Sequence, residues 1–236
     1  MIRVPARFAP LGEQGLVVEL GDRIDPALNA RVHRLARAIR DELAGEALEV
    51  VPSYRSLLVL FDPLRTERAW LARRVRALLD ALEEELAAPP GRLVEIPVCY
   101  GGEHGPDLAA IASRAGLSVE EAVALHSSTE YLVHMLGFMP GFPYLGGMPE
   151  RLATPRLAEP RARVPAGSVG IAGGQSGIYP VASPGGWRLV GRTPLRLFTP
   201  VLPRPFLLAP GDRVRFVPIA DAAYGELERR AAGGEP

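Results

Sequence analysis

The run Ala87-Ala88-Pro89-Pro90-Gly91 separates two stretches with different hydrophobic periods, and it constrains the fold more than any other feature of the chain. Consecutive prolines remove amide donors and clash with a preceding helical turn, so a helix arriving here must stop. The run therefore reads as a linker between a domain over residues 1–90 and a second over 91–220.

Before the linker, a hairpin-plus-helix unit occurs twice. In the first copy, strands at Phe8–Pro10 and Leu16–Leu20 flank the turn Leu11-Gly12-Glu13-Gln14-Gly15. A helix follows, with Asp25 as N-cap and Pro26 at its first position. Leu28, Val32, Leu35, Ile39 and Leu43 recur every three or four residues and give it one apolar stripe. The second copy has strands near Leu48–Pro52 and Leu57–Phe61, then a helix opened by Thr66 with Glu67 in its first turn. Its stripe is Leu71, Val75, Leu78, Leu82 and Leu86. Two such units bury both stripes by packing two helices on one face of a four-stranded antiparallel sheet, a two-layer α/β domain.

Beyond residue 91, glycine and proline punctuate short strands: Leu93–Cys99, Tyr131–Phe138, Val169–Ala172, Trp187–Val190 and Arg213–Val217. That pattern predicts a barrel or a sandwich, and the chain as a whole is α+β. Two short helices, Leu108–Ala115 and Val119–His126, meet at Gly116-Leu117-Ser118. The polar segment 221–236, ending in Gly-Gly-Glu-Pro, is expected to fray as a flexible tail.

Composition excludes several function classes. The formal net charge is zero, and the second short helix would present Glu120 and Glu121 to phosphates, so no nucleic-acid partner is expected. The first sixteen residues hold no continuous apolar run, and Leu57–Phe61 is too short to span a bilayer, so neither export nor membrane insertion is expected and the cytoplasm is the expected location. A single cysteine, Cys99, rules out an intrachain disulfide and reads as a small buried hydrophobe. All 27 basic residues are arginine, which removes both the P-loop lysine and a lysine Schiff base. His33, His104, His126 and His134 lie in different elements without His-x-His or His-x-x-x-His spacing, so no metal ligand is expected. Ser168 and Ser176 lack a Gly-x-Ser-x-Gly elbow and are poor nucleophiles.

The stretch Gly137-Phe138-Met139-Pro140-Gly141-Phe142-Pro143-Tyr144-Leu145-Gly146 reads either as a rigid apolar pocket wall or as a structural loop. On the first reading Phe138, Phe142 and Tyr144 wall a pocket or a partner interface. His126 ends an apolar stripe and is either a satisfied core histidine or an active-site group. Strand periodicity puts Arg161 and Arg163 on one face. Their guanidinium groups could converge on a substrate carboxylate or a phosphate, or pair with surface acids such as Glu159.

These segments together resemble the 5-oxoprolinase B-subunit family, also called the KipI-like or allophanate hydrolase subunit 1 family. The matching residues run from Tyr100-Gly101-Gly102 and Gly105-Pro106-Asp107-Leu108 through His126-Ser127-Ser128, Glu130-Tyr131 and the Gly137–Leu145 loop. They continue through Pro160-Arg161, Val164–Ile171, Gly177-Ile178-Tyr179-Pro180, Pro184-Gly185-Gly186-Trp187, Gly191, Thr193 and Pro210-Gly211-Asp212. The chain departs from the family in having one arginine, Arg156, after Thr154-Pro155 where two are frequent, and Ser176 in place of threonine. The resemblance implies a small N-terminal α/β domain followed by a cyclophilin-like β-barrel. It implies ATP-dependent opening of 5-oxoproline to glutamate, with A and C subunits as partners and ATP at a site shared with them. It also admits two alternatives, a non-catalytic inhibitor of a sensor histidine kinase and half of a biotin-dependent urea carboxyltransferase. Arg161, Phe138, Phe142, Tyr144, His126, Ser168, Gln175 and Tyr179 are the candidates for contact with the small-molecule substrate or a partner; no residue is assigned as catalytic.

Overall fold

A computed structural model describes residues 5–82 and 91–233. It divides into two compact units, Met1–Pro89 and Pro90–Pro236. Leu86 and the linker residues 87–90 lie outside the described residues.

In the first unit, β1 (Arg7–Leu11), β2 (Gly15–Glu19), β3 (Ala47–Pro52) and β4 (Ser56–Phe61) form an antiparallel sheet of order β1-β2-β4-β3. Helices α1 (Pro26–Glu42) and α2 (Arg68–Ala81) cover it. Asp25 caps α1 by accepting from the Ala27 and Leu28 amides at 2.9 and 3.0 Å. Val32, Leu35 and Ile39 from α1, and Leu71, Val75 and Leu78 from α2, join Leu16, Val18, Leu57, Val59 and Phe61 in one core. The second helix begins two residues later than its sequence suggests: Thr66 is buried in the preceding turn, where its amide donates to Asp62, and the cap is Glu67.

The second unit is a closed barrel of order β10-β7-β6-β13-β5-β12-β9, which settles barrel over sandwich. Its strands are β5 (Leu93–Tyr100), β6 (Glu130–Leu136), β7 (Pro143–Gly146), β9 (Ser168–Ala172), β10 (Gln175–Ile178), β12 (Arg188–Arg192) and β13 (Arg213–Pro218). A separate ribbon pairs β8 (Arg161–Val164) with β11 (Ser183–Gly185). Only β5 and β13 run parallel within the barrel's ladder. Val214 and Phe216 point inward from β13, while Arg213 and Arg215 face the carboxylate of Glu130 outside. Helices α3 (Leu108–Ala115) and α4 (Val119–Ser127) send Leu108, Ile111, Ala112 and Ala122 into the barrel's core cluster, so the pair packs on the barrel.

The expected frayed tail is a correction. Residues Asp221–Gly233 form helix α5, whose Tyr224 is buried against the His104 ring at 4.3 Å between centroids. The segment looked too polar to fold because its docking needs one aromatic anchor and not a full apolar stripe. Among the described residues, no helix is long and apolar enough to cross a membrane.

Candidate functional site

Helix α4 starts with a reciprocal capping box, Ser118 with Glu121, and this fixes the register that turns His126 inward from its last turn. His126 is fully buried and stacks on Phe216 at 4.7 Å. Its Nδ1 lies 2.8 Å from the Tyr100 hydroxyl and its Nε2 lies 3.2 Å from Ser176 Oγ. Ser176 donates onward to the Gly170 carbonyl at 3.3 Å, so its oxygen is left to accept from Nε2–H while Nδ1 accepts the Tyr100 proton. Burial lowers the imidazole to about 3 and pushes the Tyr100 phenol well above its ordinary value, so both stay neutral and the tautomer is locked. This is a satisfied core histidine; with both nitrogens occupied inside the barrel it has no free lone pair to offer a substrate.

A second cluster lies where β7, β10, β8 and β12 meet. Phe142 is 1% exposed and makes edge-to-face contacts with Phe138, Tyr144, Tyr179 and Trp187 at 5.0–5.7 Å. Glycines make room for these rings: a Cβ on Gly177 would lie 2.8 Å from the Phe142 ring, and one on Gly185 would lie 2.4 Å from the Tyr179 hydroxyl. The expectation that the three loop aromatics share one role is thereby corrected. Phe142 is the centre of a satellite core, Tyr144 is half-buried at its edge, and Phe138 stands 65% exposed with φ of +66°. Tyr179 and Ser168 are also buried, linked through the Tyr179 amide and the Ser168 carbonyl at 2.9 Å. Gln175 opens β10 and is half-buried.

Arg161 is not converging with Arg163, which is exposed. Its Nη2 lies 2.9 Å from both carboxylate oxygens of Asp107, and Nη1 reaches the Trp187 carbonyl at 3.5 Å. Asp107 sits at the N-cap of α3 without capping it, because its Oδ2 also accepts from the Leu189 amide at 2.7 Å. The pair therefore stitches β8, α3 and β12 together, and Glu159 is not the partner. Spacing could not supply Asp107, which lies 54 residues away.

The residue that the sequence pattern left unmarked is Arg156. It is exposed, its guanidinium lies 5.8 Å from the Trp187 ring, and its charge opposes the upward push that burial gives the Tyr144 and Tyr179 phenols. Its position after Thr154-Pro155, where the family often carries arginines, was the available signal. Arg156, Tyr144 and the exposed side of Arg161 are thus polar groups that this aromatic face presents. Such a face can hold an anionic group beside a planar or apolar one. Two hollows in the barrel unit involve none of the eight candidates: a groove of about 720 Å³ bordered by Leu136, Arg196, Arg204 and Phe206, and a smaller one of about 180 Å³ beside Arg192 and Tyr224.

A family model described as the carboxyltransferase domain, subdomain C and D, matches residues 6–208. The chain belongs to that family. It is 49% identical to the 5-oxoprolinase B-subunit of Escherichia coli O157:H7 over 90% of this chain and 96% of the relative. It is 43% identical to the protein of the same name from Bacillus subtilis strain 168, over 91% and 93%. The crystal structure of the Kluyveromyces lactis urea carboxylase covers 98% of this chain with 23% of its own length, at TM-score 0.81 and 21% identity, a likeness of fold alone.

Proposed function

We propose that this chain is the B-subunit of an ATP-dependent 5-oxoprolinase and works in the cytoplasm with A and C subunits. The observation that carries the reading is the match over 90% and 91% of the chain, at 49% and 43% identity, to proteins named for that role. A lactam carbonyl is a weak electrophile. In the proposed reaction its oxygen takes the γ-phosphoryl group of ATP and ADP leaves; water attacks the activated carbon, the ring C–N bond breaks with the nitrogen taking a proton to give γ-glutamyl phosphate, and a second water releases inorganic phosphate to leave glutamate. ATP binds at a site to which this chain contributes one wall. On the chain's side the contribution is the Arg156–Tyr144 face, where a guanidinium beside phenols suits the substrate carboxylate or a transferred phosphoryl group. His126 and Ser176 hold the barrel and take no step.

The test is 5-oxoproline-dependent ADP release by the chain alone and after mixing with its A and C subunits. Turnover is expected only in the mixture. Robust turnover by the lone chain would overturn the shared site, and none from a properly assembled mixture would overturn the reaction.

A further inference from the structure

Three side chains that no part of the proposed reaction uses converge at the C-terminal end of β5. Cys99 lies on that strand, and its side chain is more than nine-tenths buried. His104 follows in a turn that two left-handed glycines, Gly101 at φ +72° and Gly102 at φ +52°, fold tightly enough for the Gly105 amide to reach the Gly101 carbonyl at 2.7 Å. Asp221 is the first residue of α5. One donor atom from each of Cys99, His104 and Asp221 lies within 4.8 Å of the others. His104 Nε2 is 3.0 Å from Asp221 Oδ1 and 3.9 Å from Glu103 Oε1, a second carboxylate at the rim whose side chain must swing inward to become a fourth donor.

We propose that Cys99, His104 and Asp221, closed by Glu103, form a zinc site that fastens α5 to the barrel. Zinc bonds of about 2.0–2.3 Å set tetrahedral donors roughly 3.3–3.8 Å apart. The His104–Asp221 distance of 3.0 Å and the 4.8 Å bound on all three donors lie to either side of that spacing, so side-chain adjustment brings the three onto one ion. The donor set is one thiolate, one neutral imidazole and carboxylate oxygens, a mixture that suits a borderline-soft divalent ion over calcium or magnesium. Binding breaks the Cys99 S–H bond and forms S–Zn, with the proton released to solvent. Without the metal, burial first and then the negative charges of Asp221 and Glu103 push the Cys99 thiol up. Asp221 and Glu103 are 81% and 88% exposed, so an ion can enter from water. Tyr224, packed on the His104 ring, fixes the imidazole from the other side.

Tag-free protein is stripped with a chelator, loaded with zinc chloride, desalted and assayed for metal by mass spectrometry. One zinc per chain is expected, with a melting temperature that rises with zinc concentration. Cobalt in its place should give the near-ultraviolet thiolate-to-metal band. Cys99→Ser and Asp221→Asn should each weaken zinc binding at least tenfold and abolish the melting shift. Asp221→Asn changes an exposed side chain, so folding survives even if the buried Cys99→Ser does not. Failure of the wild type to retain zinc overturns the proposal, as does unchanged affinity in Asp221→Asn.

Discussion

Acidification should destabilise the barrel through His126 before its carboxylates titrate. In the unfolded chain the imidazole binds a proton near its ordinary value of 6.5, whereas in the folded barrel burial holds it neutral down to about 3. Between those values the unfolded state carries the extra proton, so the stability contribution is complete above about pH 6.5 and is lost as pH falls. The slope is about 1.4 kcal/mol per pH unit, which amounts to roughly 2 kcal/mol by about pH 5. Domains of this size are held by about 5–15 kcal/mol, so the loss is large enough to measure. The geometry explains why the folded site resists the proton: it would have to enter on Nδ1, where the Tyr100 hydroxyl already points its hydrogen at 2.8 Å. Urea midpoints from about pH 7.5 to about pH 5 would be compared for wild type and His126→Gln. Aspartates stay ionised over most of that range, and His33, His104 and His134 contribute equally to both proteins and cancel in the difference. The variant should begin less stable and show a flatter pH dependence. Parallel curves for the two proteins would refute the reasoning.

Phe142→Ala should cost about 3–5 kcal/mol by opening a cavity under Tyr179 and Trp187, read as a large fall in melting temperature. Phe138→Ala should leave the melting temperature near wild type, and an equal fall would contradict the division between core and surface. Arg161→Ala leaves the Asp107 carboxylate without its guanidinium and should cost about 3–5 kcal/mol; adding Asp107→Asn should recover part of this in a double-mutant cycle, and strict additivity would dissolve the pair. Arg156→Ala should lower 5-oxoprolinase activity of the assembled complex at least tenfold while the melting temperature holds. Because Arg156 opposes the burial effect on Tyr144, the same change should raise that phenol's pKa in a spectrophotometric titration.

Periodicity carried most of the fold into the sequence, because burying an apolar stripe is a local demand that spacing records. The α1 stripe, the β13 alternation of Val214 and Phe216, and the hairpins of the first unit are all legible in this way. Where a few scattered contacts decide an element, spacing is silent: α5 docks through the Tyr224 ring on His104 and the Asp221 carboxylate on the same imidazole, and the segment reads as tail. The site was less legible for the same reason. Arg161 could be seen as a guanidinium on a strand, but its partner Asp107 comes from another element. Phe138 and Phe142 stand four residues apart in one glycine-rich loop, and the positive φ at Phe138 goes with one ring in solvent and the other in the core. His104 likewise looked isolated because its neighbours at Cys99 and Asp221 are brought together only by the barrel.

The exclusive use of arginine has a structural counterpart in the barrel unit. Arg151 reaches the carbonyls of Ala115 and Gly116 at 3.0 and 2.9 Å, Arg188 that of Pro155 at 3.1 Å, and Arg192 that of Ala166 at 2.8 Å. Each ties one element to a helix end or turn belonging to another. A planar fork can do this with one or two directed N–H groups, where an ammonium on a flexible stem would offer a point charge. Arg161 extends the device to a carboxylate. Against that background Arg156 differs: it lies over the Trp187 ring and directs its charge at the half-buried Tyr144 and the buried Tyr179. A guanidinium held by an aromatic plane keeps its donors available, and an anion arriving between this subunit and another would complete its hydrogen bonds.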